Sequence, residues 1–145
     1  MNDVRAFVDT NIIAYLYSHS QADEQKRNHA YSVLKQYDCQ ISTQVLNEFS
    51  NVCIKKWKLT REKIHNLIGQ ICLYFDVGYI YEDTIRKALK IHGRYGYAYY
   101  DSLMIASALE QNCQYLLTED MSDGQVIEGR LTIKNIFSDD YHSTN

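Results

Sequence analysis

Four carboxylates are set apart from the other acids by what flanks them. Asp9 ends the apolar run Ala6-Phe7-Val8, and Asp120 follows Tyr115-Leu116-Leu117 within Thr118-Glu119-Asp120. Asp101 falls on one helical face with Met104, Ile105 and Ala108, and Glu48 lies between Leu46 and Phe49, one turn from Val52. A carboxylate on an inward helix face must find a partner or a cation. Four acids converging without four basic partners would repel one another. Hard divalent cations such as Mg2+ or Mn2+, which prefer oxygen ligands, remove that repulsion. An ion held by carboxylates, with some waters kept, is suited to polarising a phosphate and activating water. Taken singly, most of these acids have a plain structural role open to them. Asp9 could cap a helix, Asp101 could be a first-turn acid favoured by the helix dipole, and Asp120 could be a turn residue. Glu48 has the least room for such a role, because an acid inside a helix on an apolar face is uncommon.

The elements that would position these acids follow from the hydrophobic pattern. Ala6-Phe7-Val8 reads as a buried strand, and Thr10 and Asn11 open a helix through Ile12, Ile13, Tyr15 and Leu16. Gln25 to Tyr37 reads as a helix, and Cys39 to Ser42 as a strand. Thr43 then caps a helix with Leu46, Phe49, Val52 and Cys53 inward, and Thr60 caps the next. Asp76 to Ile80 reads as a strand, Glu82 to Gly93 as a helix that Gly93 stops, and Tyr100 to Gln111 as another helix. Tyr115 to Leu117 and Leu131 to Lys134 read as strands on either side of the loop Glu119 to Gly124. Short apolar strands alternating with helices imply a parallel sheet covered on both faces, an α/β fold. Ligands of such sheets sit outside the carboxyl ends of the strands. Asp9, Glu48 and Asp120 are all directed to that edge.

Length and composition suit one ordinary globular domain: 145 residues, 46% hydrophobic and 23% charged. Residues 1 to 137 are expected to form it, with a polar, frayed tail over 138 to 145. The net charge of −3 runs mildly against a nucleic-acid binder, although an acidic pocket lowers net charge without removing a basic patch elsewhere. The four cysteines show no CxxC spacing and read as reduced, mostly buried thiols. No run is long and apolar enough for a membrane helix, and the start of the chain has no signal-peptide pattern, so a cytoplasmic protein is expected.

Four segments together carry a resemblance. They are Phe-Val-Asp-Thr-Asn at 7–11, Ser-Thr-x-x-x-x-Glu-Phe at 42–49, Tyr-Asp-Ser-Leu-Met-Ile-Ala-Ser-Ala at 100–108 and Leu-Leu-Thr-Glu-Asp-Met at 116–121. Their order and spacing resemble the motifs of PIN domains, and among these the compact VapC-type toxins of bacterial type II toxin–antitoxin modules. The likeness runs from about residue 5 to residue 136. It implies a three-layer α/β/α fold with a short parallel sheet, and a Mg2+- or Mn2+-dependent endoribonuclease, usually a homodimer, paired with a cognate antitoxin. Carried over by position, Asp9, Glu48, Asp101 and Asp120 match the acidic tetrad. Thr10 and Asn11 match the polar residues after the first acid, Thr43 the hydroxyl before the second, and Asp123 an additional metal-binding acid that some members carry. Gly124 departs from the pattern, because many relatives have an aromatic residue there.

Candidate RNA contacts come from two basic groups. Arg86, Lys90 and Arg94 recur at four-residue steps, flanked by Lys87, and form a stripe if the helix continues. Lys55, Lys56, Lys58, Arg61 and Lys63 form the second group. Either group could be a solvated face balanced by nearby acids, or a source of sequence-independent phosphate affinity. Tyr95, Tyr97, Tyr99 and Tyr100 could stack unpaired bases or be buried in packing. Two other functions compete with the nuclease. One is a non-catalytic PIN-fold binding module, which a lost acid would favour. The other is a haloacid-dehalogenase-type phosphatase, which needs an acid two residues after Asp9, where this chain has Asn11.

Overall fold

Val8 cannot sit beside solvent on either side, and in the computed structural model of the chain, which describes residues 4–138, it does not. Strand β1 (Arg5–Val8) lies inside a six-stranded sheet of order β3-β2-β1-β4-β6-β5, and Ala6, Phe7 and Val8 are fully buried. A strand covered on both faces reads as a continuous apolar run, which is why it carries no polar alternation. β1 pairs in parallel with β2 (Asp38–Ser42) and with β4 (Tyr115–Thr118). β3 (Asp76–Gly78) extends the sheet on one side and β6 (Leu131–Asn135) on the other, both in parallel. β5 (Val126–Ile127) closes that edge as an antiparallel strand.

Six helices cover the sheet: α1 (Thr10–Tyr17), α2 (Glu24–Leu34), α3 (Thr43–Lys55), α4 (Arg61–Tyr74), α5 (Glu82–Tyr95) and α6 (Tyr99–Glu110). Most of the buried side chains form one core cluster built from the strands and the inner faces of the helices, with Phe49 of α3 fully buried within it. Phe49 stacks edge-on against Tyr17 and Trp57 at centroid distances of 5.9 and 5.8 Å. Cys39, Cys53 and Cys113 are buried, Cys72 is exposed, and all four are free thiols. Among the described residues, no helix is long and apolar enough to cross a membrane.

Several sequence expectations need correction. Gly93 does not stop α5. The helix runs on to Tyr95, and Gly96 in the left-handed region (φ 78°) caps it. The extra turn is held from outside, because Arg94 and Tyr95 both bind Glu128 Oε2 at 2.7 Å. Thr43 does not cap α3. Ser42 occupies the N-cap, and the Thr43 hydroxyl accepts the Ile80 N–H at 3.2 Å. β3 ends at Gly78 rather than Ile80, because its partner β2 ends at Ser42, opposite Gly78. The strand β5 was not anticipated. It has only two residues, one of them exposed, and so offers no periodicity. Thr60 does cap α4, accepting the Lys63 N–H at 3.3 Å. Of the expected tail, residues 139–145 lie outside the described residues.

Phe49→Ala removes the ring at the centre of this packing and is expected to lower stability by about 3–5 kcal/mol. Leu73→Ala, at a position 81% exposed, should stay within about 0.5 kcal/mol of wild type. Urea unfolding of both variants checks the assignment, and a small loss for Phe49→Ala would mean that α3 is not docked as described.

Candidate functional site

The carboxyl ends of β2, β1 and β4 lie side by side, and two helices start there without any intervening loop. Asp9 follows β1 directly, and its N–H is bound by Leu117 O at 3.0 Å, so the parallel ladder fixes its backbone. Its side chain caps α1, with Oδ1 accepting the Thr10 N–H at 2.7 Å and Oδ2 accepting the Thr118 hydroxyl at 2.9 Å. Asp9 is 6% exposed. Burial pushes its carboxyl up from 3.8 to about 6, the two hydrogen bonds oppose that rise, and the charges of Asp101 and Glu48 add to it.

Glu48 comes to the same place from the second turn of α3. Its Oε1 accepts the Thr10 hydroxyl at 2.7 Å, and its Oε2 accepts Gln44 Nε2 at 3.2 Å. Asp120, just beyond β4, accepts Asn11 Nδ2 at 2.5 Å, and its own N–H is held by the Thr118 hydroxyl at 3.2 Å. Asp101 lies in the first turn of α6 and has no hydrogen-bond or ion-pair partner among the described residues. Burial raises its carboxyl above the ordinary range, and the charges of Asp120 and then Glu48 raise it further.

Asp9 therefore senses the charges of Asp101 and Glu48, Asp101 those of Asp120 and Glu48, and among the described residues none of the four acids is in a salt bridge. As the side chains stand, no three acids among the described residues converge on a point that would hold an ion. Asp9, Glu48 and Asp120 are each turned toward their own neutral donor instead. The donor set still fits a hard divalent cation: oxygen ligands only, excess negative charge, and one carboxylate without a partner.

The other expected site residues divide. Thr10 and Asn11 join the cluster as donors to Glu48 and Asp120. Thr43 turns away to Ile80, and Asp123 accepts the Asn135 N–H at 2.8 Å in its own loop. Arg86 is paired with Glu82 at 2.8 Å and Arg94 with Glu128 at 2.7 Å. Lys90 is exposed on the same helix, and no recorded contact brings the stripe to the acids.

Two features escaped the sequence reading. Thr118 ties Asp9 to the Asp120 backbone through one hydroxyl. Its only signal is its place in the segment Leu-Leu-Thr-Glu-Asp. Glu119 anchors the loop that carries Asp120. It accepts the Tyr15 hydroxyl at 2.8 Å and pairs with Lys26, while its carbonyl accepts Asn135 Nδ2 at 3.0 Å. Lys26 and Tyr15 lie far from Glu119 in sequence, so nothing local announces the contact.

The raised carboxyls give a stability test with a defined sign. A group whose folded value lies above its unfolded value stabilises the fold fully below the unfolded value and loses that contribution as pH climbs through the folded one. Between about pH 4 and pH 6.5, Asp9 alone should cost the metal-free protein on the order of 3 kcal/mol, taking about 1.4 kcal/mol per unit for a rise from 3.8 to about 6. Asp101→Asn breaks no hydrogen bond among the described residues and removes one like charge. In EDTA it should melt above wild type at pH 7, with the gap closing toward pH 4. Thermal melts across that range decide it, and a variant less stable than wild type at pH 7 would make Asp101 a structural acceptor.

A sequence search among characterised proteins finds no match. By structure, the chain is similar to a toxin–antitoxin complex from Klebsiella pneumoniae, with a TM-score of 0.68 and 20% identity over 91% of this chain and 98% of that one. It is also similar to VapC20 of Mycobacterium tuberculosis, a toxin that cleaves the sarcin–ricin loop, with a TM-score of 0.62 and 17% identity over 77% of this chain and 86% of that one. A third similar structure is VapBC2 of Rickettsia felis bound to a DNA fragment from its promoter, with a TM-score of 0.60 and 16% identity over 91% of this chain and 100% of that one. These likenesses extend the agreement in fold across nearly the whole sheet. Residues 6–122 match the PIN domain family model, a span that begins in β1 and ends just past Asp120, and the chain belongs to the PIN domain family.

Proposed function

We propose that this chain is a divalent-metal-dependent endoribonuclease that hydrolyses RNA phosphodiester bonds, and that it is the toxin of a toxin–antitoxin pair. The observation that carries the proposal is the cluster of Asp9, Glu48, Asp101 and Asp120 at one sheet edge with no cation of the protein's own. Asp9, Glu48, Asp101 and Asp120 are the residues that would hold Mg2+ or Mn2+. When bound there, such an ion supplies Lewis-acid polarisation of a phosphate oxygen and a more acidic water.

The chain's own residues prepare the site. Thr118 and the Thr10 N–H fix the Asp9 carboxylate in place, so it does not reorient as charge changes beside it. Thr10 and Gln44 hold Glu48, and Asn11 holds Asp120. Asp9 caps α1 and Asp101 lies in the first turn of α6, positions where a helix N-terminus favours negative charge. Asp123 is already committed to the Asn135 backbone, and we assign it to the loop rather than to the ion.

Likeness to the toxin of Mycobacterium tuberculosis and to the Klebsiella pneumoniae complex supports both RNA as substrate and an antitoxin as partner. An inhibitory segment that places an arginine in the acidic cluster suits the site, because one guanidinium can pair two carboxylates at once. We further propose a homodimer working in the cytoplasm.

Cleavage of single-stranded RNA should require Mg2+ or Mn2+ and fall on the order of a thousandfold in excess EDTA. Asp101→Asn and Asp9→Asn should lose activity to a similar degree while remaining folded. Gel assays with and without chelator test this. Undiminished cleavage in EDTA would remove the metal from the mechanism, and a folded wild type that binds RNA without cutting it would leave a binding module.

A further inference from the structure

The turn between α3 and α4 concentrates positive charge that the fold itself does not use. Lys55, Lys56, Lys58, Arg61 and Lys63 are all exposed, and among the described residues none of them is in a salt bridge. The helix dipole accounts for Lys55 and Lys56, which stand at the C-terminal end of α3, where cations are favoured. It does not account for the others. Arg61 and Lys63 occupy the first turn of α4, the end that favours acids, and only Glu62 there conforms. Lys58 has φ 51°, in the left-handed region. It lies two residues beyond the C-cap of α3 at Lys56, in a backbone conformation where glycine is usual. Three cations thus occupy positions that local stability would assign to other residues.

Beside them lies a cavity of about 480 Å3 lined by Tyr17, His19, Trp57, Leu59, Lys63 and Asn66. Aromatic walls with one cation, Lys63, in the lining match what an unpaired nucleotide offers: a flat base to stack and a phosphate to neutralise. The surface also continues from the acidic cluster. Glu48 and Lys55 share α3, and at about 1.5 Å per residue they stand roughly 10 Å apart along its axis. The α5 stripe differs, because Arg86 and Arg94 are already paired with Glu82 and Glu128.

Resting on the ribonuclease reading, we infer that the α3–α4 turn is the docking surface for single-stranded RNA flanking the cleaved bond, with Lys55, Lys56, Lys58, Arg61 and Lys63 on the phosphates and a base against Trp57.

The sole tryptophan of the chain reports on that cavity directly. The test uses the full chain carrying Asp101→Asn, titrated with a short single-stranded RNA of mixed sequence at several salt concentrations, reading both affinity and Trp57 emission. RNA should alter the emission. The triple change Lys55→Ala, Lys56→Ala, Lys58→Ala should weaken binding at least about tenfold and reduce the salt slope by about 2, at roughly 0.7 per lost single-strand contact. Lys58→Gly should melt at the same temperature as its parent or higher, yet bind RNA more weakly, a combination that a purely structural role does not produce. Arg86→Ala, Lys90→Ala, Arg94→Ala should leave the slope unchanged. An unchanged slope in the Lys55–Lys58 triple variant, or silent Trp57 emission on RNA binding, overturns the inference. So does a triple variant that keeps RNA affinity but loses an acidic protein partner. If the wild-type chain cleaves RNA and the triple variant keeps its KM, only this surface fails. If the wild type neither binds nor cleaves RNA, the ribonuclease reading fails with it.

Discussion

Repulsion among carboxylates gathered at one edge of a parallel sheet is the constraint on which the rest of this molecule turns. The topology makes the gathering unavoidable. β2, β1 and β4 run the same way, so the segments that leave them emerge side by side. Asp9, Glu48 and Asp120 are then neighbours whatever their separation in the chain, and α6 brings Asp101 to them. The backbone that supplies the position also supplies part of the compensation. Asp9 caps α1 and Asp101 lies in the first turn of α6, so each of these acids stands at a helix N-terminus that favours its charge.

The remaining compensation is a shell of neutral donors. Thr10, Asn11, Gln44 and Thr118 each give a hydrogen bond to one of the acids, and none of them brings a charge. A lysine or arginine in any of these places would quench the repulsion more fully, but it would occupy the space and the charge that a divalent ion needs. The basic residue that comes nearest in purpose is Lys26, and it is spent on Glu119 rather than on the tetrad. With Tyr15 it fixes the strand end that carries Asp120 while leaving the Asp120 carboxylate to Asn11. Neutral partners orient the acids, and charged partners fix the frame behind them.

The acids and their strand ends were legible in the sequence because both depend on local pattern. A buried parallel strand must be an apolar run, and a carboxylate at its end or on an apolar helix face is anomalous within a few residues. What was not legible depends on partners distant in the chain. Gly93 reads as the stop, yet α5 runs on to Tyr95, where Glu128 binds Arg94 and Tyr95 from a distant loop. Thr43 looks like a cap until Ile80 claims its hydroxyl. β5 exists because Ile127 finds a pairing partner in β6, not because two residues carry a signal. Thr118 looks like one more strand residue until its hydroxyl meets Asp9.

The same distinction separates the two basic groups, of which the sequence favours the stripe Arg86, Lys90 and Arg94. On α5 three of the four lysines and arginines have an acid within reach: Arg86 has Glu82 one turn back, Lys87 has Glu110 on α6, and Arg94 has Glu128 from a loop 34 residues away. Exposed pairs of this kind add little stability, but they do cancel charge locally. The five cations of the α3–α4 turn have no such partners among the described residues, and Glu62 is the one acid standing among them in the sequence. In a chain with net charge −3, positive potential that survives on one surface is placed against the average. Under the proposed function, an anionic polymer approaching the acidic edge would be repelled there until an ion was bound, and this turn, joined to Glu48 by α3, would offer it charge of the opposite sign.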